Sequence, residues 1–457
     1  MNNDIPPPTG QPVLKSRRKI IVVASIILLA CAMVFFVMPH GYLDGFLKDR
    51  IIKALGDAYP EYSIRIAGLQ YRIMENRLEC DSIDLTKIDS TFSCSIARFS
   101  VTGIDRMQLL WGGGVAPDNL VSSRAWAEDI LLTFHRTQYE VCCDRLRISV
   151  PDSEIVVEAL DLHPLANDDE FFARSRFSQT RFHLVVPHFR VMGSACLSLL
   201  EGNIQCARIA QIQDASLDVL INKDKPSARD SLPPVMPNEL LSSIIKTVHL
   251  DSVQVINGRL NYGEKYPGTS KPARLTFDGM QVLAEGPVDD RIGHLDTVVV
   301  RAEGRLMNAG TMHVVMLIPV ASPEFTFRYS GSLDGMDLRV LNPFLEISEH
   351  KRFQTGLLHS ATFDVHVISG KARGIVRASY KDLKLLSIDG RSGSESGVLN
   401  TIASFITNNI KLRTTNEPDE LGSTKTGNVR YARAHDDAFF AFAWFALRSG
   451  VGEVVGF

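Results

Sequence analysis

The chain has 457 residues, a formal charge of −3 and a mean hydropathy of +0.02, with 45% hydrophobic and 22% charged residues. That apolar share excludes a disordered chain. The lack of a basic surplus argues against a nucleic-acid partner, and a polytopic membrane protein needs far more apolar sequence.

The charge is unevenly spread. Lys15, Arg17, Arg18 and Lys19 stand against Asp4, so residues 1–19 carry +3 and the remainder carries −6. Ile20 to Met38, with Leu28 and Phe35 inside it, follows without a charged residue. A helix of that length, at about 1.5 Å per residue, covers the hydrocarbon core of a bilayer. The basic flank predicts residues 1–19 in the cytoplasm and everything from Pro39 onward exported. Two other readings stay open: Ala30-Cys31-Ala32 as a signal-peptidase site, and Leu28-Leu29-Ala30-Cys31 as a lipobox. Both also export the rest.

Residues 39–58 form a juxtamembrane segment in which Leu43, Phe46, Leu47, Ile51, Ala54 and Leu55 follow helical spacing. Gly56 and Pro60 mark its end. From Ser63 to about Ile388 the pattern is strand-like, in a first β region over 59–225 and a second over 241–389. Apolar residues alternate, skip one extra residue, then alternate again: Ile96 to Phe99, Val157 to Leu160, Leu250 to Val253 and Phe277 to Met280. Such a skip is what a bulge requires to keep the apolar side on one face. At about six residues per strand, roughly 20–25 strands fit. Residues 226–240, with Pro226, Pro233, Pro234 and Pro237, read as a joint. In the C-terminal region, 390–457, an amphipathic helix is expected over 398–406. A final aromatic helix is expected from Phe439, capped by Asp436 or Asp437 and ending at Ser449-Gly450.

Cys80, Cys94, Cys142, Cys143, Cys196 and Cys206 lie in the exported part. A hairpin turning at Glu201 places Cys196 opposite Cys206, and a turn at Thr86–Asp89 brings Cys80 near Cys94. Both pairs are candidate disulfides; the alternative is buried, reduced thiols. Cys142 and Cys143 point to opposite faces of a strand, so they suggest neither a zinc site nor a redox pair.

A search for chemistry finds no catalytic, cofactor or metal motif. In Gly393-Ser394-Glu395-Ser396-Gly397 the central residue is a glutamate, not a nucleophile. His183, His188, His359 and His366 are scattered over separate strands, and Asp168-Asp169-Glu170 reads as a solvated acidic turn. No enzyme and no cofactor is expected. The periodicity leaves two architectures open: β-sandwiches with sealed cores, or a sheet whose apolar face accommodates acyl chains at about 0.8 kcal/mol per buried methylene.

The segments Tyr42–Leu55 and Tyr62–Tyr71, behind a basic-flanked anchor, resemble the start of AsmA-like proteins. The C-terminal third is similar to the same family in Leu341-Asn342-Pro343, in Gly374 with Tyr380, Asp382 and Leu383, and in Arg433 followed by Phe439 and Trp444. Val253–Glu264 resembles an internal unit of these proteins. The resemblance implies a mainly β fold: an N-terminal transmembrane helix, then a long curved antiparallel sheet forming a groove, with a few short helices, two near the C-terminus. It implies a single-pass bacterial inner-membrane protein, with its bulk in the periplasm, that binds or conducts phospholipid or other acyl lipid. An outer-membrane or periplasmic partner is expected with it. The expected strand count gives a groove of about 100–120 Å. A non-lipid scaffold for outer-membrane protein assembly is the alternative function.

Overall fold

The computed structural model describes residues 40–104, 120–193, 207–226, 234–239, 241, 250–286, 297–320, 322, 324–388, 413–420, 422–435 and 437–456. The predicted anchor, Cys196 and Cys206 with their hairpin, and the 398–406 helix lie outside these residues. Among the described residues no helix is long and apolar enough to cross a membrane.

The protein is mainly β. Seventeen strands form one sheet: β1 Tyr62–Arg72, β2 Arg77–Lys87, β3 Phe92–Thr102, β4 Arg124–Phe134, β5 Tyr139–Ser149, β6 Glu154–Pro164, β7 Thr180–Met192, β8 Ala207–Gln213, β9 Ser216–Asn222, β10 Leu250–Lys265, β11 Ala273–Glu285, β12 Thr297–Leu306, β13 Gly310–Pro319, β14 Phe327–Asp337, β15 Lys351–Ile368, β16 Lys371–Ser387 and β17 Thr426–Ala432. Among the described residues four α-helices accompany them: α1 His40–Ala58, α2 Asp168–Ala173, α3 Asn342–Ser348 and α4 Phe439–Val455. The strands among the described residues are longer than the six residues expected: β1 to β6 each have 11 residues, and β15 has 18.

Each strand pairs antiparallel with the next, from β1 to β7 and from β10 to β17. In the middle, β8 and β9 share one position, both antiparallel to β7 and both parallel to β10. A parallel neighbour requires a long crossover, and the sequence separation between β9 and β10 is long enough for one. The expected joint at 226–240 therefore does not separate two sheets. Within it, Met236 is fully buried against the cluster around Phe325 and Phe442, and Asn238 Nδ2 donates to the Glu324 carbonyl at 3.2 Å.

The skips in apolar spacing form one crease across neighbouring strands. At one level each ladder leaves one residue of both strands unpaired while the register on either side is unchanged: between Ile66/Ile83 and Gly68/Asp81, between Ile96/Ile130 and Arg98/Glu128, between Cys143/Leu160 and Arg145/Glu158, and between Glu158/His188 and Leu160/Val186. Ser82, Asp129, Ala159, Asn257 and Gly279 take positive φ along it. One extra residue per strand moves the chain three positions while the apolar side stays on one face. The skips at Ile96, Val157 and Phe277 are realised this way. The one read at Leu250 is not: pairing to β11 is regular from Ser252 to Val255, and the shift falls at Gly258.

Helices occupy the two ends of the apolar face. Leu47 of α1 packs on Ile66, Leu69, Leu78, Cys80 and Val101. Phe442 and Ala446 of α4 pack on Phe325, Phe327, Val365, Val376 and Val429. Ser449-Gly450 does not end α4, which runs on to a cap at Gly456. Gly450 is a contact glycine: a Cβ on Gly427 of β17 meets the Gly450 carbonyl oxygen at 1.9 Å, so neither backbone leaves room for a side chain. Nor does Asp437 cap α4. The N-cap is Ala438, and the Asp437 carboxylate accepts instead from Tyr431 Oη at 2.7 Å and the Ala434 amide at 2.8 Å.

The same two helices occupy the strand edges. Asp44 of α1 accepts from the Tyr71 amide at 2.9 Å, and Lys48 Nζ donates to the Ala67 carbonyl at 3.0 Å, both in β1. Glu453 and Ser449 of α4 accept from the Asn428 and Arg430 amides of β17.

Candidate functional site

Reading the register across all strands gives two lateral lines on one face. The first is Leu69, Cys80, Phe99, Ala127, Leu146, Val157, Phe189, Ile212, Val255, Val282, Ala302, Val314, Gly331, Phe363, Val376 and Gly427. The second, two residues along, runs from Tyr71 and Leu78 through Ile148, Ile155, Val191 and Val253 to Val365, Gly374 and Val429. Neither line contains a charged residue. The opposite face carries laddered charges instead, such as Arg98–Glu128 at 3.1 Å and Arg145–Glu158 at 3.1 Å.

Burial along the first line is graded. Leu69 and Cys80 are buried beneath α1, and Val376 and Gly427 beneath α4. Leu146, Val157, Phe189, Ile212, Val255, Val282, Ala302 and Val314 are half-buried. The most extensive helix packing among the described elements falls on β1, β11 and β15–β17. An open cavity of about 480 Å³ spans β10 to β13, its lining centred on Val255, Val282, Ala302 and Val314.

The family-like positions converge on one end. Asn342, just after Leu341 and before Pro343 at the start of α3, bonds both the amide and the carbonyl of Phe353 at 2.8 and 3.0 Å. This fixes α3 on β15. Tyr380 is buried, and its hydroxyl donates to the Arg413 carbonyl at 3.1 Å. Asp382 takes φ of 55°, a bulge that lets Leu383 turn into the core beside Val454 and Val455 of α4. Gly374 lies opposite Val365 and Val429. Arg433 lies over the Phe325 ring at 5.3 Å and donates to the Pro234 carbonyl at 2.8 Å. Phe439 packs on Phe327 at 5.6 Å.

One stripe of α4 stays accessible. Phe440 is 52% exposed and Trp444 38%. Phe440 approaches Tyr262 of β10 at 6.3 Å, and Trp444 meets Phe344 of α3 edge-on at 6.5 Å. The aromatic helix thus faces strands far from its own in the sheet. Near the same contact Glu264 is buried and accepts from Tyr262 Oη at 2.6 Å and from Tyr266 Oη. Burial, followed by the Glu264 charge, pushes the Tyr262 phenol far above its ordinary range. Periodicity in the sequence did not single out this carboxylate, which entered only as the last residue of the Val253–Glu264 resemblance.

The cysteine expectation fails at Cys80–Cys94. Cys80 lies opposite Phe99, whereas Cys94 lies opposite Leu85, several rungs away, and both are free. The turn forms where expected, but the long strands carry the two thiols past each other. Burial under α1, then the charge of Asp81, pushes the Cys80 thiol up to about 11 from its ordinary 9.0. A raised folded value contributes stability that is complete below pH 9 and lost as pH rises toward 11. Wild type is therefore expected to lose more of its denaturant midpoint between pH 8 and 10.5 than Cys80→Val, as read by urea titration; equal losses would show that Cys80 carries none of the dependence.

Comparison with protein-family models gives no match to this chain, and comparison with curated proteins gives none either.

Proposed function

We propose that the protein is a membrane-anchored envelope protein that holds lipid acyl chains along the apolar face of its sheet. The observation that carries this reading is the pair of uncharged lines that cross every strand except β9, the first of them half-buried through the middle. A curved sheet makes that face a groove in which tails lose contact with water at about 0.8 kcal/mol per methylene. Headgroups stay in water at the rim, so selectivity among lipids is low. Sixteen strand positions at about 4.8 Å give a groove of about 70 Å, shorter than the strand count in the sequence suggested. That length suits a carrier that passes lipid to a partner.

The uncharged Ile20–Met38 segment and its basic flank support an inner-membrane anchor with the sheet in the periplasm. The convergence of Asn342, Tyr380, Leu383, Arg433 and Phe439 around α3 and α4 supports reading the chain as a relative of AsmA-like proteins. The exposed stripe of Phe440 and Trp444 fits the alternative, an assembly scaffold with a protein partner.

The test places a photo-crosslinking residue at Val157 or Ile212 on the apolar lines and at Val156 or Gln211 on the opposite face. Adducts with phospholipid from the first pair only, with co-purifying phospholipid by mass spectrometry, are expected. Equal labelling from both faces, or protein free of lipid with one stoichiometric protein partner, overturns the reading in favour of the scaffold.

A further inference from the structure

On the face opposite the apolar lines, β5, β6 and β7 gather metal-ligating side chains at one end of the strands. Glu140 lies across from His163, and Cys142 from Asp161. Cys142 Sγ is 3.7 Å from Glu140 Oε1, and His163 Nε2 is 3.6 Å from the same oxygen. The three donor atoms all lie within 4.8 Å of one another, and all three residues are half-buried. A tetrahedral ion with bonds of about 2.0–2.3 Å holds its ligand atoms about 3.3–3.7 Å apart. Two of the three edges already have that length.

The surroundings support the imidazole in the required form. His163 Nδ1, on the other side of the ring, is 3.3 Å from Asp161 Oδ1. A carboxylate in that position keeps the proton on Nδ1 and leaves the Nε2 lone pair directed at Glu140 and Cys142. The same Asp161 oxygen is 3.0 Å from His183 Nε2 in β7, and the two imidazoles meet edge-on at 6.1 Å. The chain spacing 140, 142, 163 matches no local zinc pattern. Only the hairpin register of β5 and β6 creates the set.

We propose that Glu140, Cys142 and His163 form a binding site for a zinc-class divalent ion, with Asp161 orienting His163 and water completing the coordination. One thiolate, one imidazole and one carboxylate favour zinc over calcium or magnesium, which require oxygen ligands. On binding, the S–H bond of Cys142 breaks, its proton passes to solvent and the sulfur lone pair forms the bond to the ion. The ion ties β5 to β6 from outside, leaving the apolar lines untouched. This site does not depend on the lipid reading.

The test uses the full-length protein in detergent, stripped with a chelator and titrated with Co²⁺ and then Zn²⁺. One equivalent of Co²⁺ with a thiolate-to-cobalt charge-transfer band is expected, displaced by Zn²⁺. Cys142→Ser removes the band, and both Cys142→Ser and His163→Gln weaken Zn²⁺ binding at least tenfold against a chromophoric chelator. Cys143→Ser, on the apolar face, leaves both readouts unchanged. Absence of the band in wild type, a band that survives Cys142→Ser, or unchanged Zn²⁺ affinity in His163→Gln overturns the proposal. Circular dichroism of each variant separates loss of ligand from loss of fold.

Discussion

Phe442→Ala is expected to cost about 3–5 kcal/mol of stability, the range for deleting a fully buried aromatic side chain. Phe442 has no exposed surface. Its ring packs on Phe325 at 5.1 Å, Tyr431 at 5.7 Å and Phe327 at 6.3 Å, residues brought from β14, β17 and the segment before β14. The surrounding strands are locked by their own ladders, so the site collapses little and the cavity term stays near its full size. Guanidinium titration followed by tryptophan emission checks this, because Trp444 lies on the same helix. A loss below 1 kcal/mol would mean that α4 is not part of the cooperative core. The variant also loosens the stripe of Phe440 and Trp444, so lipid adducts near β10 should fall even where the sheet remains folded.

Arg181→Ala is the second large effect, about 1.5–3 kcal/mol, the range for losing hydrogen bonds to charged groups, discounted for the exposure of one partner. The Arg181 side chain is 8% exposed. Its guanidinium bonds Asp168 of α2 at 2.9 Å and Asp218 of β9 at 2.7 Å. Arg274 also reaches Asp218 at 2.9 Å. Truncating the arginine leaves Asp218 with Arg274 alone and Asp168 with water, removes a buried stem and detaches α2, whose Phe171 and Phe172 cover Leu220. Asp168→Asn should cost distinctly less, because the Asp168 side chain is 46% exposed and water can replace its partner. Equal losses in the two variants would contradict this ordering by burial.

What was readable in the sequence depended on how local the cause was. The three-residue steps at Ile96, Val157 and Phe277 reported real bulges, because a face-preserving skip leaves its trace within one strand. The α1 and α4 helices were legible from apolar spacing for the same reason. The acidic turn at Asp168 was not: Asn167 caps a short helix there with its side chain accepting from the Glu170 amide at 3.0 Å. Its role rests on Arg181 and Asp218, which only the fold brings near. Gly450 was misread because a glycine near a helix end has two physical uses, a cap or a close contact. The choice is decided by Gly427, 23 residues earlier in the chain. The Glu140, Cys142 and His163 cluster was hidden likewise, since pairing of β5 with β6 defines it. Strand length was underestimated because hydrophobic periodicity gives the face of a strand and not its length.

The edge bonds made by α1 and α4 have a consequence for how far the sheet can extend. A strand edge with free amides and carbonyls is a template for another strand. Here the acceptors for Tyr71, Asn428 and Arg430 come from side chains of helices that also seal the apolar face. Adding a second copy edge to edge therefore requires breaking those bonds and lifting a helix off its core together. At these positions the edges of the sheet are closed to a further strand by the same helices that complete its core.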